Sequence, residues 1–255
     1  MFDNNFKKHT TAPTTIGSSV VGIKFNNGVI IASDVRLTSY GYKKFNNISR
    51  IAQINENTII GSSGEYSDYL ELKRILEEKT LEDNLYDGYS TFLGPKELAS
   101  YLAFISYQKR NKMNPYWNTT MIGGFDWEGN PYLNSVDQFG TRYDNNYLVS
   151  GFALYFAGPL LEHAVPKDIS NFTKEQAIEL IDELFKVLFY RDSNSSDRIY
   201  YGIIEKINNN DNNDFNNLLG NKGKYEFNMN EKKLQTKWEY DLFTNHHNER
   251  YHPMA

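Results

Sequence analysis

Two apolar runs joined by a short polar turn are the feature that most constrains the fold of this chain. The first run extends from Gly17 to Phe25, the second from Gly28 to Asp34, and two Asn residues lie between them. Asn and Gly tolerate the positive φ that a tight hairpin turn requires, so this pattern predicts an antiparallel β-hairpin. The second run ends on a carboxylate, which places an acidic group at the end of a predicted strand.

The composition excludes several classes of function. The chain has 255 residues, a formal net charge of −5, no cysteine and five scattered histidines without metal-ligand spacing. Disulfides, thiolate ligands and a cysteine nucleophile are therefore excluded, and we expect no metal and no cofactor. The sequence has no stripe of basic residues, so we do not expect nucleic acid as a partner. We expect no membrane partner either, because no apolar run approaches the roughly 20 residues that cross a bilayer, and residues 1–9 lack a signal-peptide core.

Hydrophobic periodicity predicts blocks of strands that alternate with pairs of helices. Helical spacing begins at Ser67, a second helix opens at Pro95, and a third fits residues 153–165. The fourth helix is the clearest, because Thr173 and Gln176 form a capping-box pattern ahead of an apolar stripe. Besides the hairpin, strand patterns occupy residues 50–54, 58–63, 119–125, 132–136, 140–143, 199–206 and 224–227. This order predicts a layered α+β domain with two sheets inside and helices outside.

One low-complexity segment interrupts this order. Residues 208–217 consist almost entirely of Asn and Asp, and such a composition buries too little apolar surface to offset the entropy of ordering. We therefore predict a loop insertion over residues 207–222. The pattern contains no internal repeat and no linker to a second domain.

The hairpin and the residues after it resemble the opening of proteasome beta-type subunits. Active members of that family begin with a free Thr and carry an Asp sixteen residues later and a Lys thirty-two residues later. The corresponding residues here are Ser18, Asp34 and Arg50. The resemblance covers about residues 16–206 and implies an α+β fold, the four-layer αββα sandwich of N-terminal nucleophile (Ntn) hydrolases.

A twelve-residue segment narrows the resemblance to one non-catalytic type of beta subunit. Residues 107–118, Tyr-Gln-Lys-Arg-Asn-Lys-Met-Asn-Pro-Tyr-Trp-Asn, resemble a helix end and loop peculiar to that type. Residues 47–51 and 187–192 also resemble that type more than the active subunits. We expect the loop residues Met113, Asn114, Pro115 and Trp117 to contact other subunits.

The resemblance implies a vestigial active site. Ser18 stands at the nucleophile position behind an extension, so it has no free amine unless the chain is cleaved after Gly17. Arg50 replaces a Lys that exchanges a proton in active members, whereas a guanidinium has a pKa above about 12 and accepts none. We expect an Arg50–Asp34 ion pair to persist as a structural link in the old pocket.

Four further residues match the supporting parts of that site. Gly64 falls where the family places a backbone N–H for the oxyanion, and Ser150, Asp192 and Ser195 match its polar network. Active members follow the aspartate with Ser-Gly-Gly, whereas this chain has Ser-Ser-Asp from residue 195. Plain structural roles are the alternative, with Gly64 as a turn glycine and Ser18 as the first residue of a strand.

Both chain ends carry further expectations from the resemblance. Residues 1–9 are predicted as a propeptide, residues 10–17 as an extension and residues 18–236 as the beta domain, with trimming by a neighbouring subunit near His9 and Thr10. Residues 237–255 are predicted as a tail that reaches a neighbouring subunit, although a disordered tail is the alternative. Its contact candidates are the following residues: Trp238, Tyr251, His252 and Pro253.

The function implied is architectural. We expect a non-catalytic beta subunit of the 20S proteasome, a particle of the cytoplasm and nucleus that serves ATP- and ubiquitin-dependent protein degradation. Its partners are expected to be the alpha-ring subunits and the beta subunits of its own and the opposite ring. One alternative is an active peptidase that uses Ser18 after cleavage at Gly17. Another is an Ntn amidase outside the proteasome, which would form a small homo-oligomer and hydrolyse small amides alone.

Overall fold

The computed structural model describes residues 12–86, 93–207 and 225–237, and it is an α+β fold built around two antiparallel sheets. The strands are β1 (Thr15–Gly17), β2 (Val20–Phe25), β3 (Gly28–Asp34), β4 (Leu37–Ser39), β5 (Tyr42–Phe45), β6 (Ile51–Asn55), β7 (Thr58–Glu65), β8 (Asn118–Phe125), β9 (Pro131–Val136), β10 (Arg142–Asp144), β11 (Tyr147–Ser150), β12 (Arg198–Lys206) and β13 (Tyr225–Lys233). The helices are α1 (Tyr66–Tyr86), α2 (Pro95–Asn111), α3 (Ala153–Ala164) and α4 (Lys174–Arg191).

The strands divide between a large sheet and a small sheet. The large sheet has the order β10-β9-β8-β7-β1-β4-β5, with β6 also paired to β7, and the small sheet has the order β11-β2-β3-β12-β13. Helices α1 and α2 pack on the large sheet, whereas α3 and α4 pack on the small one. The molecule therefore has two sheets face to face, each covered on its outer side by a helix pair.

The apolar pattern of the sequence explains this layering. Val29 and Ile31 of β3 point towards the large sheet and pack with Met121 and Leu133, whereas Ile30 and Ala32 point the other way, towards α3 and α4. Strand β3 is buried on both faces, so it reads as a continuous apolar run rather than as an alternating one.

Strand β1 has an unusual place in the large sheet. Its three residues pair with β4 on one side, where Gly17 faces Leu37, and with β7 on the other, where Gly17 faces Gly64. In the described part of the chain, β1 is the strand through which the β4–β5 hairpin joins the rest of the large sheet. The residues just before Ser18 are thus part of the sheet.

Most of the predicted elements are confirmed. The hairpin turns at Asn26 and Asn27, and α4 begins with the predicted capping box, in which Thr173 and Gln176 exchange hydrogen bonds. The first strand starts three residues later than predicted, because the chain leaves the large sheet at Gly17 and enters the small sheet only at Val20. The predicted strand over 224–227 extends to Lys233.

Four short strands were not predicted. They are β1, β4, β5 and β11, which have three or four residues each, too few to show a period of two. The Asn-rich segment 208–217 lies outside the described residues, and the domain boundaries stay predictions. Among the described residues, the structure contains no helix long and apolar enough to span a membrane and no cluster of residues able to hold a metal ion.

Candidate functional site

The Ser18 region is organised around a buried ion pair. Asp34 is the last residue of β3, Arg50 immediately precedes β6, and the two side chains are 0% and 1% exposed. The Arg50 guanidinium donates to the Asp34 carboxylate, which confirms the predicted pair. A buried charge is tolerated only when it is paired and hydrogen-bonded, and here both conditions are met.

Backbone carbonyl groups accept hydrogen bonds from both terminal nitrogens of Arg50, whereas its buried Nε has no partner among the described residues. Nη2 donates to the carbonyl of Ser19 at 3.1 Å and to that of Asp34 at 3.3 Å. Nη1 donates to the carbonyl of Ser62 at 3.1 Å and lies 3.4 Å from that of Ser18. The planar guanidinium thus reaches strand ends in both sheets, which an ammonium group, a point charge, would not span.

Burial shifts the pKa values of both groups in this pair. Burial raises the pKa of Asp34 to about 6, and the adjacent Arg50 guanidinium counters that increase. Burial also lowers the pKa of Arg50, which the Asp34 carboxylate opposes. Arginine has no lone pair that could accept a proton in its cationic form, so Arg50 cannot serve as a base.

Ser18 directs its hydroxyl towards Asp192. Its Oγ donates to Oδ2 of Asp192 at 2.6 Å, and the other carboxylate oxygen of Asp192 accepts from the N–H of Asn194 at 2.9 Å. Asp192 follows the end of α4, so it ties the residue at the nucleophile position to the loop after that helix. The structure therefore brings the predicted residues Ser18 and Asp192 together.

The remaining predicted residues surround the same point. Ser150 ends β11 opposite Val20, and Ser195 donates its backbone N–H to the Asp192 carbonyl at 3.0 Å. Both side chains are buried, and neither hydroxyl has a hydrogen-bond partner among the described residues. Gly64 faces Gly17 across the β1–β7 ladder with φ +103, a conformation that favours glycine.

The chain just before Ser18 is held by a carboxylate that sequence reasoning missed. Glu65, which is 5% exposed, accepts hydrogen bonds through Oε2 from the backbone N–H groups of Thr14 and Thr15, the latter at 2.9 Å. Neither a motif nor a spacing marks Glu65, which simply ends an apolar strand. Together with the two-sided pairing of β1, this clamp fixes residues 14–17.

The steric role of Gly17 was also missed. A Cβ atom at this position would lie 2.2 Å from Cδ and 2.5 Å from Nε of Arg50. Arg50 is buried and hydrogen-bonded, so its side chain cannot move aside. The small residue next to the Ser18 peptide bond is therefore required by the arginine that replaces the lysine.

A cavity of about 590 Å³ lies alongside β1. Its walls come from residues 13–18, from the β4–β5 turn, from the start of β8, from the β9–β10 turn and from the start of α3; they include Ile16, Ser18, Tyr40, Trp117, Phe139 and Phe152. Trp117, predicted as a subunit contact, is half-buried here, and its indole N–H has no partner among the described residues.

The other predicted contact residues lie apart from this site. Met113 is 85% exposed just after α2 and has a left-handed backbone with φ +54, whereas Asn114 and Pro115 are half-buried. Their contacts with other subunits stay predictions. The processing site at His9 and Thr10 and the tail residues lie outside the described residues: Trp238, Tyr251, His252 and Pro253.

Comparison with known proteins identifies the family to which this geometry belongs. The family model for proteasome subunits matches residues 14–204. The chain belongs to the proteasome subunit family. This match covers helices α1–α4 and the strands from β1 to most of β12, leaving out β13, and it includes every predicted site residue from Ser18 to Ser195.

Individual relatives identify the type of proteasome subunit that the chain resembles. Proteasome subunit beta type-4 of Xenopus laevis is 44% identical over 75% of this chain and 78% of the relative. Proteasome subunit beta type-7 of Saccharomyces cerevisiae is 38% identical over 78% and 76%, and the probable beta type-7 subunit of Schizosaccharomyces pombe is 40% identical over 74% and 72%. These relatives are called type-7 in the two yeasts and type-4 in Xenopus laevis, so the predicted type of subunit is confirmed.

Removal of the Arg50 guanidinium alone should lower the free energy of unfolding far more than removal of both charges of the pair. Arg50→Met leaves the Asp34 carboxylate buried and unpaired, which costs about 3–5 kcal/mol of unfolding free energy. The double variant Arg50→Met, Asp34→Asn should be more stable than Arg50→Met alone. Denaturant unfolding of the single and double variants measures the coupling; additive losses would contradict a direct, dominant ion pair.

Substitution of Gly17 should destabilise the protein through the clash with Arg50. We expect Gly17→Ala to lose about 1–3 kcal/mol of unfolding free energy, the usual cost of overpacking a core. The matched control is Gly158→Ala, because Gly158 lies in α3 and a Cβ there meets only Val149 at 3.7 Å. Alanine should raise helix stability at that position. Equal effects of the two variants on the denaturation midpoint would contradict the steric argument.

Proposed function

We propose that this chain is a non-catalytic, structural beta subunit of the 20S proteasome core particle. It occupies a place in a ring of beta subunits, with its helix-covered sheets forming a wall of the proteolytic chamber, and the layering corresponds to the four-layer sandwich of Ntn hydrolases. Its partners are other beta subunits in the same and the opposite ring and subunits of the alpha ring, and it acts in the cytoplasm and nucleus.

The observation that carries this proposal is the chemistry around Ser18. A Ser nucleophile of the N-terminal kind needs a free amine and a neighbouring group able to exchange a proton. Here the nitrogen of Ser18 is part of the peptide bond to Gly17. The resemblance places Arg50 where active members have the proton-exchanging lysine, and its guanidinium donates hydrogen bonds and accepts none. The site therefore keeps Ser18, Asp34 and Asp192 but lacks both the free amine and the group that exchanges a proton.

The place of β1 supports the same conclusion. Cleavage after Gly17 would release a strand that pairs on both sides and would leave unpaired edges on β4 and β7. It would also remove the contact between Gly17 and Arg50. A chain that retains residues 14–17 keeps the large sheet continuous, which is what a structural subunit needs.

Two further parts of the proposal concern the chain ends. A neighbouring active subunit would trim the chain near His9 and Thr10, upstream of the clamped residues Thr14 and Thr15. The tail after residue 236 would reach a neighbouring subunit and strengthen the contact between rings. Both parts follow from the resemblance to beta type-7 subunits.

The competing function is an active peptidase that uses Ser18 after cleavage at Gly17. It is favoured by one observation, the 2.6 Å hydrogen bond between the Ser18 hydroxyl and Asp192, which orients the hydroxyl in a partly buried pocket. Arg50 argues against it, since no described neighbour of Ser18 replaces the missing lysine. A separate amidase is disfavoured by the identity to proteasome beta subunits.

The two functions differ in what Ser18 does in the assembled particle. We expect particles that carry Ser18→Ala to assemble and to hydrolyse a panel of fluorogenic peptides at unchanged rates, because other subunits supply the nucleophiles. Ser19→Ala is the matched control for packing, since Ser19 is buried next to it. A covalent threonine-directed inhibitor should abolish hydrolysis in every sample. Selective loss of one peptide class in Ser18→Ala particles would establish a working Ser18.

A further inference from the structure

An exposed aromatic surface at the end of α2 has a composition typical of a protein interface. Phe104, Tyr107, Met113 and Phe139 are 57%, 51%, 85% and 49% exposed. Three of them lie on or just after α2, and Phe139 lies on the β9–β10 turn. We call these four residues together with Arg110 the α2 surface. Aromatic residues, Met and Arg are the residue types enriched at interfaces.

Contacts between α2 and the β9–β10 turn make this surface continuous. A Cβ on Gly140 would lie 2.9 Å from Cβ of Tyr107 and 2.6 Å from the carbonyl of Ala103, so the turn sits directly on the helix. About one helical turn before Ala103, Ser100 of α2 accepts a hydrogen bond from Arg142 of β10. The turn that carries Phe139 is therefore packed against the part of α2 that carries Tyr107.

Arg110 is placed between those two rings. Its guanidinium carbon lies 5.8 Å from the ring centroid of Tyr107 and 5.7 Å from that of Phe139, distances at which a cation is attracted to an aromatic face. The planar group keeps its edge free to bind a carboxylate. Because the two rings hold it in place, less side-chain entropy is lost when a partner binds.

The charge around the α2 surface is one-sided. Arg110 and Lys112 form no ion pair with any described residue, whereas Lys109 faces α1, where it lies over the Tyr116 ring and acts on the Asp68 and Glu71 carboxylates. The nearest acid on the turn, Asp137, uses its carboxylate to accept from the backbone N–H groups of Phe139 and Thr141, both at 2.8 Å. This basic patch contrasts with the net charge of −5 for the whole chain.

We propose that the α2 surface docks another proteasome subunit, through a segment in which an Asp or Glu is flanked by apolar side chains. The carboxylate binds Arg110 between Tyr107 and Phe139, and the apolar neighbours cover Phe104 and Met113. Charge complementarity selects an acidic partner. This inference rests on the proposed function, because it takes the assembled core particle as the source of the partner.

The test is photo-crosslinking in the assembled particle. Phe139 is replaced by benzoylphenylalanine in the full-length chain, intact particles are purified and irradiated, and the crosslinked peptides are identified by mass spectrometry. We expect a crosslink to a different proteasome subunit, in a peptide that contains an Asp or Glu next to apolar residues. A crosslink to a second copy of this chain, to its own residues 238–255 or to a peptide without an acid would overturn the inference.

Charge reversal tests the role of Arg110. Arg110→Glu should lower the crosslink yield by about tenfold or more, as expected for loss of a close charge pair at an interface. Lys96→Glu, an equal charge change on an exposed residue at the other end of α2, should leave the yield unchanged. Replacement of the crosslinked acid by Arg should restore the yield of the Arg110→Glu variant; failure of this swap, or equal loss in both helix variants, would contradict the proposal.

The outcome also separates this inference from the proposed function. If the chain is absent from purified particles, the proposed function fails, and the docking inference fails with it. If the chain is present and hydrolysis is unaffected by Ser18→Ala, but Phe139 crosslinks to no other subunit, the docking inference alone is wrong.

Discussion

The Arg50 guanidinium is the group on which this structure depends. The chain passes from the large sheet to the small sheet at Ser18 and Ser19, and it returns between Asp34 and Leu37. Arg50 binds the carbonyl groups of Ser19 and Asp34, at both crossings, and also that of Ser62 in β7. One buried cation thus joins the two sheets where the chain crosses between them, and its charge is balanced by the carboxylate at the end of β3.

The same interaction suits this site to the structural role proposed for the chain. A guanidinium gains stability from many fixed acceptors in a plane, whereas proton exchange requires a group that alternates between a charged and a neutral form. Fixing Arg50 also requires Gly17, which lies against its side chain, and Gly17 belongs to the strand that bridges β4 and β7. The cation, the glycine and the bridging strand form one interdependent unit, and the clamp of Glu65 on Thr14 and Thr15 extends it upstream.

The sequence predicted those parts of the fold that carry strong local signals. The Asn-Asn-Gly turn and the capping box at Thr173 are local, and both were found where expected. The Arg50–Asp34 pair followed from the resemblance to proteasome subunits. The carbonyl groups around Arg50 and the Glu65 clamp could not be predicted, because they depend on how distant backbone segments meet. Strand β1 could not be predicted either, since a three-residue strand is defined by its partners and not by its own pattern.

We infer that the chain keeps the residues before Ser18 in its working state, because β1 and Arg50 hold each other in place. The most direct measurement is the intact mass of this subunit, isolated from native particles with and without a covalent threonine-directed inhibitor. We expect a mass that includes residues 14–17 and that the inhibitor leaves unchanged. A mass that begins at Ser18 and increases by one inhibitor adduct would contradict it.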